Sequence, residues 1–283
     1  MHVVKVRVMK VHVVKVFVLA LLVTLAAATA TVMGRGGDQP ADTRPLSPKE
    51  ALATFKLAPG YRVDLIASEP LVQDPVAIDW DPDGRLWVVE MPGYMRDIAG
   101  RDEHDPIGRI VVLEDRDGDG KMDKRTVFAD GLVMARSVKV LDRGVLVGEP
   151  PHIWLMRDTD GDLRADTKEQ VTDAYGRVEI DPQNNANALD WSLDNWMHMA
   201  GQVDIALRLK GGKFEVRRTL RRGQWGVTHD DAGRIYRNSN ESALHVDVVP
   251  SAYFARHPGL LRTRGSYERL ADDNPDLNIV TPH

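Results

Sequence analysis

No cysteine occurs anywhere in the 283 residues. For the residues shown, its absence excludes disulfides, a lipid-modified cysteine anchor and a covalently attached c-type haem, so the fold must hold by its core. Other signatures are missing too. No glycine-rich nucleotide turn leads from a strand into a helix, no Gly-x-Ser-x-Gly elbow is present, and no His-Glu-x-x-His occurs. A basic surface for nucleic acid is also lacking, since the formal net charge is −5. The one basic cluster, Arg217-Arg218 with Arg221-Arg222, reads as decoration of a strand pair. What is present is 43% hydrophobic and 28% charged residues, enough apolar content for a large core.

Residues 1–30 read as an export signal: a basic start, an uncharged stretch from Val16 to Ala30, and small residues at Ala28-Thr-Ala30 where a peptidase would cut. His2-Val-Val-Lys-Val-Arg-Val8 nearly repeats at His12-Val-Val-Lys-Val-Phe-Val18, which makes Met9 an alternative start. Removing the leader with Lys5, Arg7, Lys10 and Lys15 leaves 33 basic against 42 acidic residues, a net charge of −9. Uncleaved, Val16 to Gly34 is long enough to anchor the chain in a bilayer, the only membrane contact expected. The expected location is therefore periplasmic, or anchored on the outer face. Residues 31–46 are rich in Gly, Asp, Pro and Thr and read as a tether. Ser47-Pro-Lys-Glu50 then forms a capping box that predicts a helix through about Lys56, and a strand is expected over Tyr61–Ala67.

An internal repeat organises the remainder. Asp115-Arg-Asp-Gly-Asp-Gly-Lys-Met-Asp123 recurs 43 residues later as Asp158-Thr-Asp-Gly-Asp-Leu-Arg-Ala-Asp166. Four hairpins superpose on one pattern of strand, tight turn and strand: Val76–Glu90, Ser137–Glu149, Asn187–Met199 and Val227–Arg237. A second hairpin follows each of the first three: Gly108–Glu114 with Arg125–Ala129, His152–Arg157 with Gln170–Asp173, and Ile205–Leu209 with Phe214–Arg218. Paired hairpins at this period predict an all-β chain over 47–283, a β-propeller of four-stranded blades. Its length suffices for about four to five blades, so the ring is expected to be incomplete and the chain to be the N-terminal part of a longer protein or a truncated frame. The tryptophans Trp80, Trp87, Trp154, Trp191, Trp196 and Trp225 fall at strand positions and read as packing between blades.

Several separate motifs carry a family resemblance: Ser47-Pro-Lys-Glu-Ala-Leu52, Leu57-Ala-Pro-Gly-Tyr-Arg-Val63, Ala67-Ser-Glu-Pro-Leu-Val-Gln-Asp-Pro-Val-Ala-Ile-Asp79, Gly84-Arg-Leu-Trp-Val-Val-Glu-Met91, the two Asp-rich loops and Leu193-Asp-Asn-Trp196. From Ser47 onward the chain resembles the N-terminal propeller of planctomycete-type membrane-bound dehydrogenases, which is similar to quinoprotein sugar dehydrogenases. The resemblance implies an exported oxidoreductase acting on a sugar or alcohol with pyrroloquinoline quinone as acceptor, in a chain that continues into helical-repeat and cytochrome c domains. This chain lacks Cys-x-x-Cys-His, so an electron-accepting cytochrome c would lie downstream or on another protein.

Propeller geometry by itself selects candidate residues. Inner strands start, and second strands end, at the same mouth of the central channel. Asp74, Arg136, Asn187 and Gln224 stand at the starts, and Glu90, Glu149, Gln202, Asn238 and Asn240 at the ends, with His152 just beyond. A polar ring of this kind suits a polar ligand or an acidic quinone, although solvated loop ends give the same pattern. His152, after Glu149-Pro-Pro, is the candidate base, with Glu149 beside it. Arg136 is the candidate partner of a cofactor carboxylate, or else forms a salt bridge with Glu90 or Glu149. His229, near its turn, reads as structural.

The Asp-rich loops fit calcium. Asp115, Asp117, Asp119, the Lys121 carbonyl and Asp123 supply oxygens at alternating positions, with Gly120 at the sharp turn. Asp158, Asp160, Asp162, Asp166 and Glu169 repeat the pattern, but Leu163 replaces the glycine. Both loops are expected on the face opposite the mouth, where a cation would stiffen a hairpin and take no part in a reaction. Ordinary Asp-Gly turns are the alternative. A non-catalytic, calcium-stiffened propeller that binds a glycan or a partner protein is the rival to the oxidoreductase.

Overall fold

The computed structural model describes residues 44–179, 181–239 and 244–270. The leader, most of the tether and Asn240 lie outside these residues. Two compact units divide at Leu65 and Ile66. In the first, α1 (Pro48–Ala53) begins at the expected capping box: Ser47 Oγ accepts from the Glu50 N–H, and the Glu50 carboxylate accepts from the Ser47 N–H. The helix ends before Lys56 because none of its residues is buried, and a 3₁₀-type bond from the Thr54 N–H to the Ala51 carbonyl closes it. No strand forms over Tyr61–Ala67. Within the second unit, the Ile66 carbonyl accepts a single bond from the Met122 N–H in place of a ladder.

Among its described residues the second unit holds four sheets, each four-stranded, antiparallel and in sequential order. Blade 1 is β1 (Pro75–Trp80), β2 (Leu86–Glu90), β3 (Gly108–Glu114) and β4 (Lys124–Leu132). Blade 2 is β5 (Ser137–Leu141), β6 (Gly144–Glu149), β7 (His152–Arg157) and β8 (Thr167–Thr172). Blade 3 is β9 (Asn187–Trp191), β10 (Met197–Ala200), β11 (Ile205–Lys210) and β12 (Lys213–Arg218). Blade 4 is β13 (Val227–His229), β14 (Ile235–Arg237), β15 (His245–Asp247) and β16 (Glu268–Arg269), with α2 (Ser251–Arg256) between the last two strands. First strands meet first strands: β1 packs on β5, β5 on β9 and β9 on β13. Sheets whose opening strands meet in succession fan around one axis, which is the propeller arrangement. Among the described residues no helix is long and apolar enough to cross a membrane.

Period-two alternation supplies an apolar layer to each side of a blade. On β2, Trp87 and Val89 join Ile110, Val112 and Phe128 in the core shared with Ala135, Val138, Val145 and Val147 of blade 2. Leu86 and Val88 point the other way and are covered by Val72, with Ile66, Ala67 and Leu71. On β6, Val145 and Val147 face blade 1, whereas Leu146 faces Leu189, Met197 and Leu207 of blade 3. Trp87 packs edge-on against Phe128 with ring centroids 4.8 Å apart.

Polar ties accompany this packing. Asp79 of β1 accepts from the Val140 N–H (2.7 Å) and from Lys139 Nζ (3.1 Å) of the next blade. Asp190, at the equivalent position of β9, meets His229 Nδ1 at 2.8 Å. That contact gives the histidine a structural partner. In blades 1 and 4 one carboxylate organises the first tight turn. Asp81 accepts from the Asp83 and Arg85 N–H groups, from Arg85 Nε (2.6 Å) and from Trp87 Nε1 (2.9 Å). Asp230 repeats the device with Arg234 and the Tyr236 hydroxyl. Burial works to raise the Asp81 pKa, but the bonds from Trp87 and Arg85 prevail and hold it below the ordinary value.

Two outcomes follow. Gly148 lies under the Ser137–Tyr175 pair, and an added Cβ would collide with the Ser137 hydroxyl and the Tyr175 ring. Gly148→Ala should therefore cost about 1–3 kcal/mol, read as a melting temperature lower by several degrees; an unchanged melting temperature would contradict this packing. Asp81 has a depressed folded-state pKa, so its stabilisation is fully present above the unfolded value of about 3.9 and is lost as pH falls through the folded value. Asp81→Asn should cost about 1–3 kcal/mol at pH 7, and chemical denaturation at pH 3 should show a smaller difference from wild type.

Candidate functional site

At the mouth, the two glutamates that end β2 and β6 perform the same local task. Glu90 is fully buried; its Oε1 accepts from the Gln73 N–H at 2.9 Å and its Oε2 from Arg125 Nη2 at 2.9 Å, with Arg109 Nε at 3.7 Å. Glu149 accepts from the Val133 N–H at 2.7 Å and from Lys168 Nζ at 3.0 Å. Each glutamate thus pins the chain that enters its own blade and is neutralised by a base from the outermost strand. Arg125 and Lys168 are 43 residues apart, the period of the Asp-rich loops. Sequence reading missed these partners, although the same repeat carries them.

Arg136 does not join either glutamate. Its side chain is 1% exposed, its Nη2 donates to the Pro182 carbonyl, and its guanidinium lies 4.8 Å from the centre of the Trp225 ring. Nε and Nη1 are buried without a hydrogen-bond partner. Burial lowers its pKa, while Tyr175, Tyr94, Asp181 and Glu103 pull the other way. Behind it, the Ser137 and Tyr175 hydroxyls are 2.8 Å apart, and burial pushes the Tyr175 hydroxyl upward.

Other mouth positions are occupied by local bonds. Asn187 is buried; its Nδ2 donates to the Asn185 and Gln224 carbonyls, and its Oδ1 accepts from the Gly226 N–H at 2.8 Å. It works as a clamp between the entries to blades 3 and 4. Gln224 donates its N–H to the Asn238 carbonyl, and Asn238 is exposed. Asp74 takes a positive φ of 40° and receives the Met91 N–H on its carbonyl. His152 lies tilted against Trp154 with ring centroids 4.7 Å apart and planes at 46°, and keeps a buried Nδ1 without a partner. Lys168 covers the same indole at 4.3 Å. Glu149 and His152 pair across the β6–β7 turn, but no hydrogen bond or ion pair joins either to Arg136.

A cleft of about 500 Å³ opens beside these residues, between blades 2 and 3. Asp173, Arg177, Glu179, Gln202, Asp204, Arg218 and Arg221 supply most of its polar lining. Arg218 Nη1 meets Asp204 at 2.7 Å, and Arg221 Nη1 meets Gln202 Oε1 at 2.9 Å. Of these, only Gln202 was legible as a mouth residue. The basic cluster divides: Arg217 pairs with Asp194 (3.0 Å) and covers Trp196, Arg222 reaches Ser266, and Arg218 and Arg221 line the cleft.

On the opposite face, the Asp-rich loops join β3 to β4 and β7 to β8. Asp115 accepts from the Gly118 and Gly120 N–H groups, Asp117 from Asp119, and Asp119 from Lys121. Asp123 pairs with Arg116 at 2.9 Å. Asp158 accepts from the Gly161 and Leu163 N–H groups, Asp160 from Asp162 and Asp162 from Arg164, while Asp166 accepts from Thr159 and Glu169 pairs with Arg157. Backbone donors hold the Asp115 and Asp158 pKa values low. Oxygens of Asp115, Asp117 and Asp119 converge within 4.8 Å of one another, as do those of Asp158, Asp160 and Asp166. Leu163 adopts φ 63°, the left-handed turn Gly120 makes at 89°. Its contact with the core between blades 1 and 2, and the bond from the Ala165 N–H to the Phe128 carbonyl, hold the loop in that conformation.

No curated protein matches this chain. Among solved structures, it is similar to the PQQ domain of a pyranose dehydrogenase from Coprinopsis cinerea (15% identity, TM-score 0.44, covering 66% of this chain and 49% of that one). It is also similar to a luciferin-regenerating enzyme (10%, 0.41, 62% and 55%) and to a gluconolactonase from Xanthomonas campestris (14%, 0.38, 62% and 58%). The chain spans about half the length of these structures. A family model described as a domain of unknown function, DUF7133, matches residues 47–281, and the chain belongs to that family.

Proposed function

We propose that this chain is the propeller part of an exported, quinoprotein-like oxidoreductase that receives a sugar or alcohol on the mouth face. The observation that carries the reading is the cleft between blades 2 and 3. Its lining combines carboxylates that accept with guanidinium and amide groups that donate, which is what a hydroxyl-rich ligand requires. An acidic quinone such as pyrroloquinoline quinone, when bound, supplies a two-electron acceptor. Of the mouth residues assigned to it, Arg136 has donors to spare for a carboxylate, whereas Glu90, Glu149 and Asn187 are already engaged. A cytochrome c, downstream or separate, would take the electrons onward.

A second reading has a specific observation in its favour. His152 is tilted onto Trp154 and no hydrogen bond joins it to Arg136, so the assigned base and the assigned cofactor anchor do not meet through a bond. A non-catalytic propeller that binds a glycan needs no such convergence. Calcium belongs to both readings, as a brace for the Asp115–Asp123 and Asp158–Asp166 hairpins on the far face.

Three measurements test this. Calorimetric titration with a panel of neutral sugars should give a binder, and Asp173→Ala combined with Arg221→Ala should weaken it by roughly tenfold or more; absence of any binder removes the cleft as a site. Dye reduction with added quinone and calcium separates the readings, since sugar binding without turnover leaves the non-catalytic propeller. Calcium at a hundredfold excess over its dissociation constant should stabilise by about 2.7 kcal/mol and raise the melting temperature by about 5–10 °C. EDTA should reverse that gain and Asp115→Ala should reduce it; a melting temperature indifferent to calcium rejects the brace.

A further inference from the structure

Two arginines of the propeller are buried in different ways. Arg237 meets Asp247 at 2.8 Å and donates to the Met199 carbonyl. Among the described residues no carboxylate lies at ion-pair distance from Arg136; a single carbonyl, that of Pro182, receives one of its five N–H groups. A buried charge without a counter-ion is unfavourable unless something supplies the missing partner.

We propose that Arg136 is an anion-receiving site at the mouth of the channel and that its ligand is a small carboxylate. The inference deepens the preceding reading and rests on it for the class of molecule: a sugar acid or an acidic quinone, both of which present this group. Position supports it, because Arg136 immediately precedes β5 and its backbone N–H is held by the Gly148 carbonyl, so the side chain stands at the channel end of a fixed strand pair. Charge bears on which anion fits. Asp181 and Glu103 lie close enough to act on Arg136 without pairing with it, so a singly charged carboxylate meets less repulsion there than a doubly charged phosphate. The indole of Trp225, partly exposed, covers the guanidinium, which makes it the group that must move when a ligand enters.

The test uses the full chain, with glucuronate, pyrroloquinoline quinone, glucose and inorganic phosphate as separate probes, read by calorimetry and, for the non-absorbing probes, by tryptophan fluorescence. Glucuronate or the quinone should bind, and which of them does identifies the source of the carboxylate. Binding of glucuronate should change the fluorescence of wild type but not of Trp225→Phe, and phosphate should bind at least tenfold more weakly. Arg136→Met should lose at least tenfold in carboxylate affinity while its ligand-free melting temperature stays equal or rises, because a neutral side chain removes an unpaired buried charge. Arg136→Lys, which keeps the charge, should fall between the two. Carboxylate binding that survives in Arg136→Met, failure of both carboxylates to bind wild type, or a lower melting temperature in Arg136→Met and Arg136→Lys alike would overturn the proposal and leave Arg136 as a support for Pro182. Glucose reports on the cleft alone: its binding to Arg136→Met shows that the cleft works where Arg136 does not, and its absence with carboxylate binding retained rejects the cleft and keeps Arg136.

Discussion

Burial of apolar side chains on both faces of a blade is the constraint from which the rest of this molecule follows. In β6, Val145 and Val147 face one way and Leu146 the other, and all three are buried. A four-stranded sheet with two apolar faces needs a neighbour on each side. Blade 2 finds them in blades 1 and 3, and on blade 1 the face turned away from blade 2 is closed by Val72 and its neighbours. Stacking sheets in this way places their first strands around one axis. Residues at equivalent points of different blades are thereby brought to a common end of the channel.

That arrangement explains why the polar residues of the mouth divide into two kinds. Wherever a strand begins, an incoming segment carries a backbone N–H that no ladder satisfies. Glu90 and Glu149 take up such groups, at Gln73 and Val133, and their remaining charge is met by Arg125 and Lys168. Asn187 does comparable work for the segment around Gln224 and Gly226. These side chains are buried and conspicuous, yet their bonding is directed inward to the fold. Arg136 differs because no carboxylate among the described residues pairs with it. The carboxylates nearest to it act from a distance, and two of its nitrogens face no acceptor.

Much of the fold was legible. The 43-residue repeat, the period-two apolar runs and the Gly, Asn and Asp turns located three blades and the first hairpin of the fourth, and strands such as Gly108–Glu114 and His152–Arg157 fall where the pattern placed them. Such signals are local, since alternation and turn chemistry are properties of a few adjacent residues. The capping box at Ser47 was legible for the same reason. The strand expected over Tyr61–Ala67 failed because a run of suitable residues does not supply a partner strand. Leu163 shows the reverse case: its side chain argued against the turn, but packing on the core and the tie from Ala165 to Phe128 hold the turn all the same.

The sequence by itself determined the blades and the residues that stand at their ends, because hydrophobic period and turn type are written in short stretches of chain. Only the tertiary structure decided which of those end residues are engaged and which are left over. Glu90, Glu149 and Arg136 look alike as mouth residues in the sequence. Their bonds run to Gln73, Arg125, Val133, Lys168 and Pro182 through space, over separations of up to 46 residues. Hydrogen bonds and ion pairs depend on distances of a few ångströms between atoms, and those distances exist only once the blades have packed.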